Sequence, residues 1–393
     1  MEPKVSLSKH RSLIRLIYIA MLAFALGLHV FNMGGEEGLK PFHLAAGIAC
    51  VLTFLQPQKL NNLYRIVYAF LLFAFFSAIF SYASSAFSTW VNLFFVVISC
   101  IGVVFSNVKI VLKCVFPLIA ADVFALLYQS IVEPQYRFQG FYDDPNYLCT
   151  TLLGFIFLLL LELHLLKKYY LKIFAIALLI LSYFLILLTL SRTGIVCAFI
   201  ILVIVLLDSL KKKYLKITII SLILFSVCFN ITSNYFDHQL ALLNERFFYN
   251  NDNIENASDQ RVHLSMQNVE FILDNPQYIL FGLGGGTTIG KNAHDIPELD
   301  SYRDDDHGDH NTWTSTFSEF GLLCFIMFFL FFIITFRRVI RITPHYFRNL
   351  YLVMFASMLI FSFSISQKTY LPFWWIMFFL NNQTISQLSQ SER

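Results

Sequence analysis

Apolar runs long enough to form membrane-spanning helices recur from one end of the chain to the other. A helix needs about 20 mainly apolar residues to cross the hydrocarbon core of a bilayer. The alternative spanning structure is a closed barrel, and the alternating pattern of barrel strands is absent from this sequence. We therefore predict an all-α polytopic membrane protein with about twelve transmembrane helices. The predicted spans lie at about 12–32, 41–56, 63–82, 87–106, 110–132, 147–166, 171–190, 194–209, 217–233, 313–336, 348–366 and 370–387.

Composition agrees with a membrane location. Hydrophobic residues make up 57 % and charged residues 13 % of the 393 positions, whereas soluble domains carry about 25 % charged residues. No basic stripe faces water, so we expect no nucleic-acid partner. The seven cysteines lie inside or beside apolar runs, and we interpret them as packing residues. The first apolar run has the length of a full span and no small-residue cleavage site after it, so we expect it to remain as the first helix.

Lysine and arginine residues are distributed unevenly across this topology. Twenty lie on the side of the N-terminus and eight lie on the opposite side. Cytoplasmic loops carry the excess of positive charge, so both termini are predicted to be cytoplasmic. The predicted organisation is nine transmembrane helices in residues 1–233, a long periplasmic loop at 234–312, and three further helices in 313–393.

The long loop is the polar segment of the chain. It contains fourteen acidic residues and four cations. Loops of this length that connect membrane spans usually carry function. Apolar residues within 259–274 recur at helical spacing and predict a short amphipathic helix that ends at Asn275 and Pro276. Arg261 would lie in its first turn, where the helix dipole disfavours a cation, and this placement indicates an anionic partner.

Two arginines outside the long loop also lie on the predicted periplasmic side. Arg192 occupies a short turn between two strongly apolar spans, and Arg137 precedes the sixth span. Ionisable groups at the membrane edge are costly and often functional. A guanidinium group binds phosphate oxygens in a bidentate manner, so these arginines are candidates for binding a phosphorylated lipid. The alternative for both residues is that they extend to the lipid headgroups.

The end of the long loop contains two candidate histidines. His310 directly precedes Asn311 and the tenth span, and a histidine there could accept a proton from a substrate hydroxyl near neutral pH. His307 is the second candidate. The acidic residues at 304–309 together with these histidines leave a metal site open as an alternative. Their spacing matches neither an EF-hand nor a zinc signature, so we expect no metal.

The glycine-rich stretch at 281–286 has two interpretations. Its backbone N–H groups could approach an anion, or the glycines could form a sharp turn back to the membrane. We favour the turn. The stretch does not follow a βαβ pattern, so it does not predict a dinucleotide site.

An ordered set of four motifs resembles the O-antigen ligase and O-antigen polymerase superfamily, which are bacterial membrane glycosyltransferases of the GT-C type. The family patterns are Gly-Phe-x-Asp-Pro-Asn, a Ser-Arg-Thr/Gly turn, an Arg-helix-Pro-x-Phe/Leu-Gly-x-Gly block, and His-Asn followed by Glu-x-Gly-Leu. The matching segments here are 137–146, 191–194, 261–286, and 310–311 with 318–322.

The resemblance implies transfer of a glycan from an undecaprenyl-pyrophosphate carrier at the periplasmic face of the bacterial inner membrane, without a metal or other cofactor. Arg192 and Arg261 would bind the pyrophosphate, and His310 would orient or deprotonate the acceptor hydroxyl. These three residues are the predicted catalytic set. The predicted substrate-binding residues are Arg137, Arg246, Asp144, Asn146, His307, Asn311 and Glu319.

The resemblance leaves the acceptor open. A polymerase would use the sugar of another lipid-linked repeat unit, and a ligase would use the lipid A core. Asp143, Asp144, Pro145 and Asn146 favour the polymerase. Expected partners are the lipid-linked glycan, the acceptor glycolipid, membrane lipid and a chain-length regulator protein. A transporter of lipid-linked sugars is a further alternative, and a non-catalytic scaffold would not explain the periplasmic arginines.

Overall fold

The computed structural model describes residues 4–28, 41–55, 61–81, 83–142, 144–209, 265–287, 311–342 and 345–385. This part of the chain is helical and contains no strand. A ninth helix, α9, covers residues 265–274. The other helices are α1 (Lys4–Leu28), α2 (Pro41–Phe54), α3 (Asn62–Phe80), α4 (Ala86–Ile101), α5 (Val108–Val132), α6 (Pro145–Leu165), α7 (Tyr169–Leu188), α8 (Arg192–Ser209), α10 (Thr312–Val339), α11 (His345–Ser364) and α12 (Leu371–Leu380).

Seven of the described helices are long and apolar enough to cross a membrane, and four shorter helices are also apolar. The predicted all-α polytopic class is therefore confirmed. The predicted ninth span, 217–233, and most of the predicted long loop lie outside the described residues. The described middle part of that loop, residues 265–287, contains α9 and a short 3₁₀ turn at Pro276–Tyr278.

Helix α6 lies at the centre of the bundle. It is apolar on all sides, and its residues from Pro145 to Glu162 are buried except Tyr147. A helix that is apolar on every face packs against other helices on every face. Helices α5, α7, α8, α11 and α12 surround it. Gly154 of α6 lies directly against Ile376 of α12, so its lack of a side chain permits the close approach.

Helix α12 is shorter than the sequence predicts. It ends at Leu380 after ten residues, although the apolar run predicts a span at 370–387. Ten helical residues rise about 15 Å, which is half of the hydrocarbon thickness. The helix ends because two asparagines bond to backbone groups. The amide of Asn381 donates to the carbonyl of Met377, and the amide of Asn382 donates to the carbonyls of Val103 and Ser106.

Helix α10 is broken at Gly321, which the predicted continuous span at 313–336 did not anticipate. Gly321 has φ 80° and ψ 177°, outside the helical region. Its neighbour Leu322 donates its backbone N–H to the carbonyl of Ile279 at 2.8 Å instead of to its own helix. A Cβ atom at Gly321 would collide with the carbonyl group of Leu280. The break therefore depends on close contact with residues 279–281.

We predict that Gly321→Ala destabilises the protein. A side chain at this backbone conformation is strained by about 1–3 kcal/mol, and the Cβ atom would also displace Leu280. The measurement is the midpoint of thermal unfolding of the purified protein in detergent. Gly47→Ala is the matched control, because Gly47 lies in α2 and a Cβ atom added there would meet nothing within 4 Å. An equal midpoint for the two variants would contradict the prediction.

Candidate active site

The turn that carries Arg192 has a defined backbone structure. Leu190 has φ 51°, which is unusual for a residue with a branched side chain. The N–H of Ser191 donates to the hydroxyl of Thr189 at 3.1 Å, and the N–H of Gly194 donates to the hydroxyl of Ser191 at 3.2 Å. Arg192 is the first residue of α8. It therefore lies at the positive end of that helix dipole, where an anion is stabilised.

The predicted residues Asp144 and Asn146 form the start of α6. The carboxylate of Asp144 accepts the N–H of Asn146 at 2.6 Å and caps the helix, and Pro145 occupies its first turn. The side-chain carbonyl of Asn146 accepts the hydroxyl of Ser191 at 2.6 Å, and both residues are buried. The structure therefore joins two of the four motifs by a direct hydrogen bond.

Arg137 lies near the same turn. It is partly buried, and the N–H of the next residue, Phe138, donates to the carbonyl of Leu188 at 3.1 Å. Leu188 is the last residue of α7. This bond holds the segment that contains Arg137 against the end of the helix that precedes Arg192.

Asn311 begins α10. Its side-chain carbonyl accepts the N–H of Trp313 at 2.9 Å and caps the helix. The hydroxyl of Thr312 donates to the carbonyl of Ile365 at 2.7 Å and accepts the N–H of Gln367 at 3.0 Å. The beginning of α10 is thus fixed by residues 365–370 between α11 and α12, which we term the connector.

The connector also bonds to α6. The hydroxyl of Tyr147 donates to the carbonyl of Ser366 at 2.6 Å. The amide of Gln367 donates to the hydroxyl of Thr150 at 2.8 Å. The hydroxyl of Tyr370 donates to the backbone carbonyl of Tyr147 at 2.8 Å. These bonds therefore pair polar groups of the connector with polar groups near the beginning of α6.

A further contact extends from the end of α11 to the turn that carries Arg192, which we term the arginine turn. The hydroxyls of Thr193 and Ser364 are 3.2 Å apart and hydrogen-bonded. Thr193 directly follows Arg192, and Ser364 directly precedes the connector. The connector and its flanking residue therefore bridge the beginning of α8 and the beginning of α10.

The glycine-rich stretch completes the break in α10. Leu283 donates its N–H to the carbonyl of Ser318 at 2.8 Å, and Gly284 donates to the carbonyl of Glu319 at 2.8 Å. Gly286 donates its N–H to the Glu319 carboxylate at 2.7 Å. The stretch forms a turn, in agreement with the favoured interpretation, and these three N–H groups bind α10. The anion that Gly286 binds is thus the Glu319 carboxylate of the protein itself.

A buried ion pair lies beside this turn. The ammonium of Lys368 in the connector is 2.7 Å from the Glu319 carboxylate, and the two side chains are 1 % and 0 % exposed. The ammonium also lies 5.9 Å from the centre of the Phe320 ring. Lys368 was not among the predicted site residues. A signal was present in the sequence, because it is the single charge in an apolar segment from 349 to 391.

Four predicted site residues, Arg246, Arg261, His307 and His310, lie outside the described residues, as does the alternative metal site at 304–309. Within the described ranges no cluster of three or more histidine, cysteine, aspartate or glutamate side chains could hold a metal ion. The assignment of Glu319 to substrate binding remains a prediction, and its carboxylate oxygens contact Lys368 and Gly286 here.

The fold defines a multi-pass helical membrane protein, in which hydrogen bonds join the connector and its flanking residue to the beginnings of α6, α8 and α10. Residues 176–329 match the protein family described as O-antigen ligase. This match supports the resemblance drawn from the motifs to the O-antigen ligase and polymerase superfamily. The matched region contains Arg192 and Glu319, whereas Asn146 and Lys368 lie outside it. No curated protein matches the chain.

We predict that Asn146 and Ser191 stabilise the arginine turn as a pair. Asn146→Ala and Ser191→Ala should each lower the free energy of unfolding by about 1–3 kcal/mol, because each leaves a buried polar partner unsatisfied. The double variant should lower the free energy of unfolding by less than the sum of the two single effects, and the difference, the coupling energy, should be about 1 kcal/mol. Unfolding in detergent gives these values, and Ser88→Ala, an exposed hydroxyl, serves as control. Additive effects of the two substitutions would contradict the pairing.

Proposed function

We propose that the protein is a metal-independent polymerase of O-antigen or a related surface polysaccharide. It transfers glycan from an undecaprenyl-pyrophosphate carrier to the acceptor sugar of a second lipid-linked repeat unit, at the periplasmic face of the bacterial inner membrane. Members of the matched family are glycosyltransferase-like enzymes. The observation that carries the proposal is the arginine turn, where Arg192 begins α8 and is fixed by Asn146 through Ser191.

The donor side uses the arginines. Arg192 at the positive end of α8, together with Arg261, binds the pyrophosphate, and Arg137 and Arg246 assist. Negative charge develops on the pyrophosphate as the bond between the anomeric carbon and its phosphate oxygen breaks. Guanidinium groups already in position stabilise this charge without reorganisation of solvent, which is usually the largest contribution to catalysis.

The acceptor side uses the beginning of α10. His310 takes the proton of the acceptor hydroxyl while the hydroxyl oxygen forms a bond to the anomeric carbon. Asn311 caps α10, and Thr312 is bonded to the connector, so the residue next to His310 has a fixed backbone. The pyrophosphate leaves with the electron pair of the broken bond.

The motif at the start of α6 favours the polymerase over the ligase. Deletion of the gene distinguishes the two enzymes by the glycolipids that disappear. Loss of long chains with single repeats still attached to the lipid A core identifies a polymerase. Loss of all attachment to the core identifies a ligase and would overturn the proposed acceptor.

We predict that Arg192→Ala lowers the rate of glycan transfer by about 100- to 1,000-fold, because it removes one group that stabilises the leaving pyrophosphate. The assay uses purified protein in detergent with lipid-linked repeat units and no ion gradient. Arg341→Ala is the matched control, because Arg341 is exposed beyond the other end of α10. Wild-type activity in the Arg192 and Arg261 alanine variants would remove the pyrophosphate-binding role. Activity that requires a gradient would favour the transporter.

We predict that His310→Ala lowers kcat by about 100- to 10,000-fold, the usual contribution of a general base. Binding of the donor should change little, because the pyrophosphate is bound by arginines. Rates measured over a range of donor concentrations separate these two effects. His164→Ala is the control, because His164 lies in the last turn of α6, far along that helix from Asn146. A normal kcat for His310→Ala would exclude it as the base.

A further inference from the structure

We propose that Lys368 is a positioning residue, which through its ion pair with Glu319 sets the placement of the arginine turn relative to the beginning of α10. The proposal rests on the proposed function for its activity measurement. The ion pair is formed by residues that are 49 positions apart in sequence and belong to different elements, the connector and the first half of α10.

The ion pair between Lys368 and Glu319 is buried. Both side chains are almost completely inaccessible, so their contacts in this structure are with the protein itself. Burial of two charges is unfavourable compared with apolar packing, and such pairs are best explained where they specify one arrangement of the elements that they join. Here the elements are the connector, α10 and the glycine-rich stretch, because Gly286 binds the same carboxylate.

The connector contacts the beginnings of both α6 and α10. It bonds to Thr312 at the start of α10 and to Tyr147 and Thr150 at the start of α6. The residue before it bonds to Thr193, next to Arg192. A shift of the connector would therefore move the proposed donor side against the proposed acceptor side.

A shift of the connector would affect catalysis. A displacement of about 1 Å between reacting groups lowers a rate by about 100-fold. Loss of the ion pair should therefore lower kcat. The KM for the donor should change little, because the arginines that bind the pyrophosphate are retained. A residue that contacted the donor would instead raise KM.

The experiment compares Lys368→Met, Glu319→Gln, the double variant with both substitutions, and the conservative Lys368→Arg in the full chain purified in detergent. Single variants leave one uncompensated buried charge, and the double variant leaves none. The double variant therefore separates protein stability from positioning. We expect it to recover the unfolding midpoint of the wild type while its kcat stays about 10- to 100-fold low. Lys368→Arg should retain most of the activity.

A second measurement is independent of activity. Thr193→Cys and Ser364→Cys replace two hydroxyls that are 3.2 Å apart. Mass spectrometry gives the fraction of protein in which the two thiols form a disulfide under mild oxidation. We expect this fraction to fall several-fold when the double variant is added to the cysteine pair and to remain unchanged with Lys368→Arg.

The outcomes separate the two proposals. A double variant with wild-type kcat and wild-type disulfide yield would overturn the role of Lys368. A raised donor KM with unchanged kcat in Lys368→Met would also overturn it, because Lys368 would then bind substrate. Absence of transfer by the wild-type protein would overturn the proposed function, and the disulfide yield would still decide whether Lys368 positions the arginine turn.

Discussion

The satisfaction of backbone groups at the break in α10 is the constraint on which this end of the helix bundle depends. At the break, Ser318 and Leu322 no longer bond to each other. The carbonyl of Ser318 accepts the N–H of Leu283, and the N–H of Leu322 donates to Ile279. In lipid an unpaired polar group costs several kcal/mol, so the break exists only with the glycine-rich stretch bound to it. Helix α3 contributes as well, because Ser77 donates to the carbonyl of Glu319.

This constraint bears on the transporter alternative. Transporters bind ions and substrates at broken helices, whose free backbone groups face the ligand. In α10 the freed groups of Ser318, Glu319 and Leu322 are bonded to the protein itself. The break therefore acts as a structural joint between α10 and the glycine-rich stretch.

Much of the fold follows from the sequence, because the length of an apolar run is a local property. The helices α1 to α8, α10 and α11 correspond to predicted spans. The segments around Asn146 and Ser191 were expected on the same side of the membrane, and their hydrogen bond is observed. The break was not predictable from Gly321. Gly154 is also a glycine in an apolar run, and it lies in the continuous helix α6. The two differ in their partners, which are distant in sequence.

Lys368 and the end of α12 were missed for the same reason. An isolated lysine in an apolar segment has no acidic neighbour in sequence, and the carboxylate with which Lys368 pairs lies in another helix. Asn381 and Asn382 end α12 through bonds to backbone, and those of Asn382 are to residues more than 270 positions earlier. Patterns within a single segment do not contain such contacts. The roles of Arg261 and His310 remain predictions, because these residues lie outside the described part of the chain.

The order of synthesis gives the buried ion pair a further consequence. Glu319 leaves the ribosome before Lys368, because it is 49 residues earlier in the chain. Helix α10 therefore enters the bilayer with a carboxyl group whose cation has not yet been made, and an isolated carboxylate in lipid is costly. That group lacks its ion-pair partner until the connector that carries Lys368 has been synthesised. The ion pair beside the bend in α10 is accordingly completed late in the biogenesis of the protein, and truncated chains that end before Lys368 should be targets for membrane quality control.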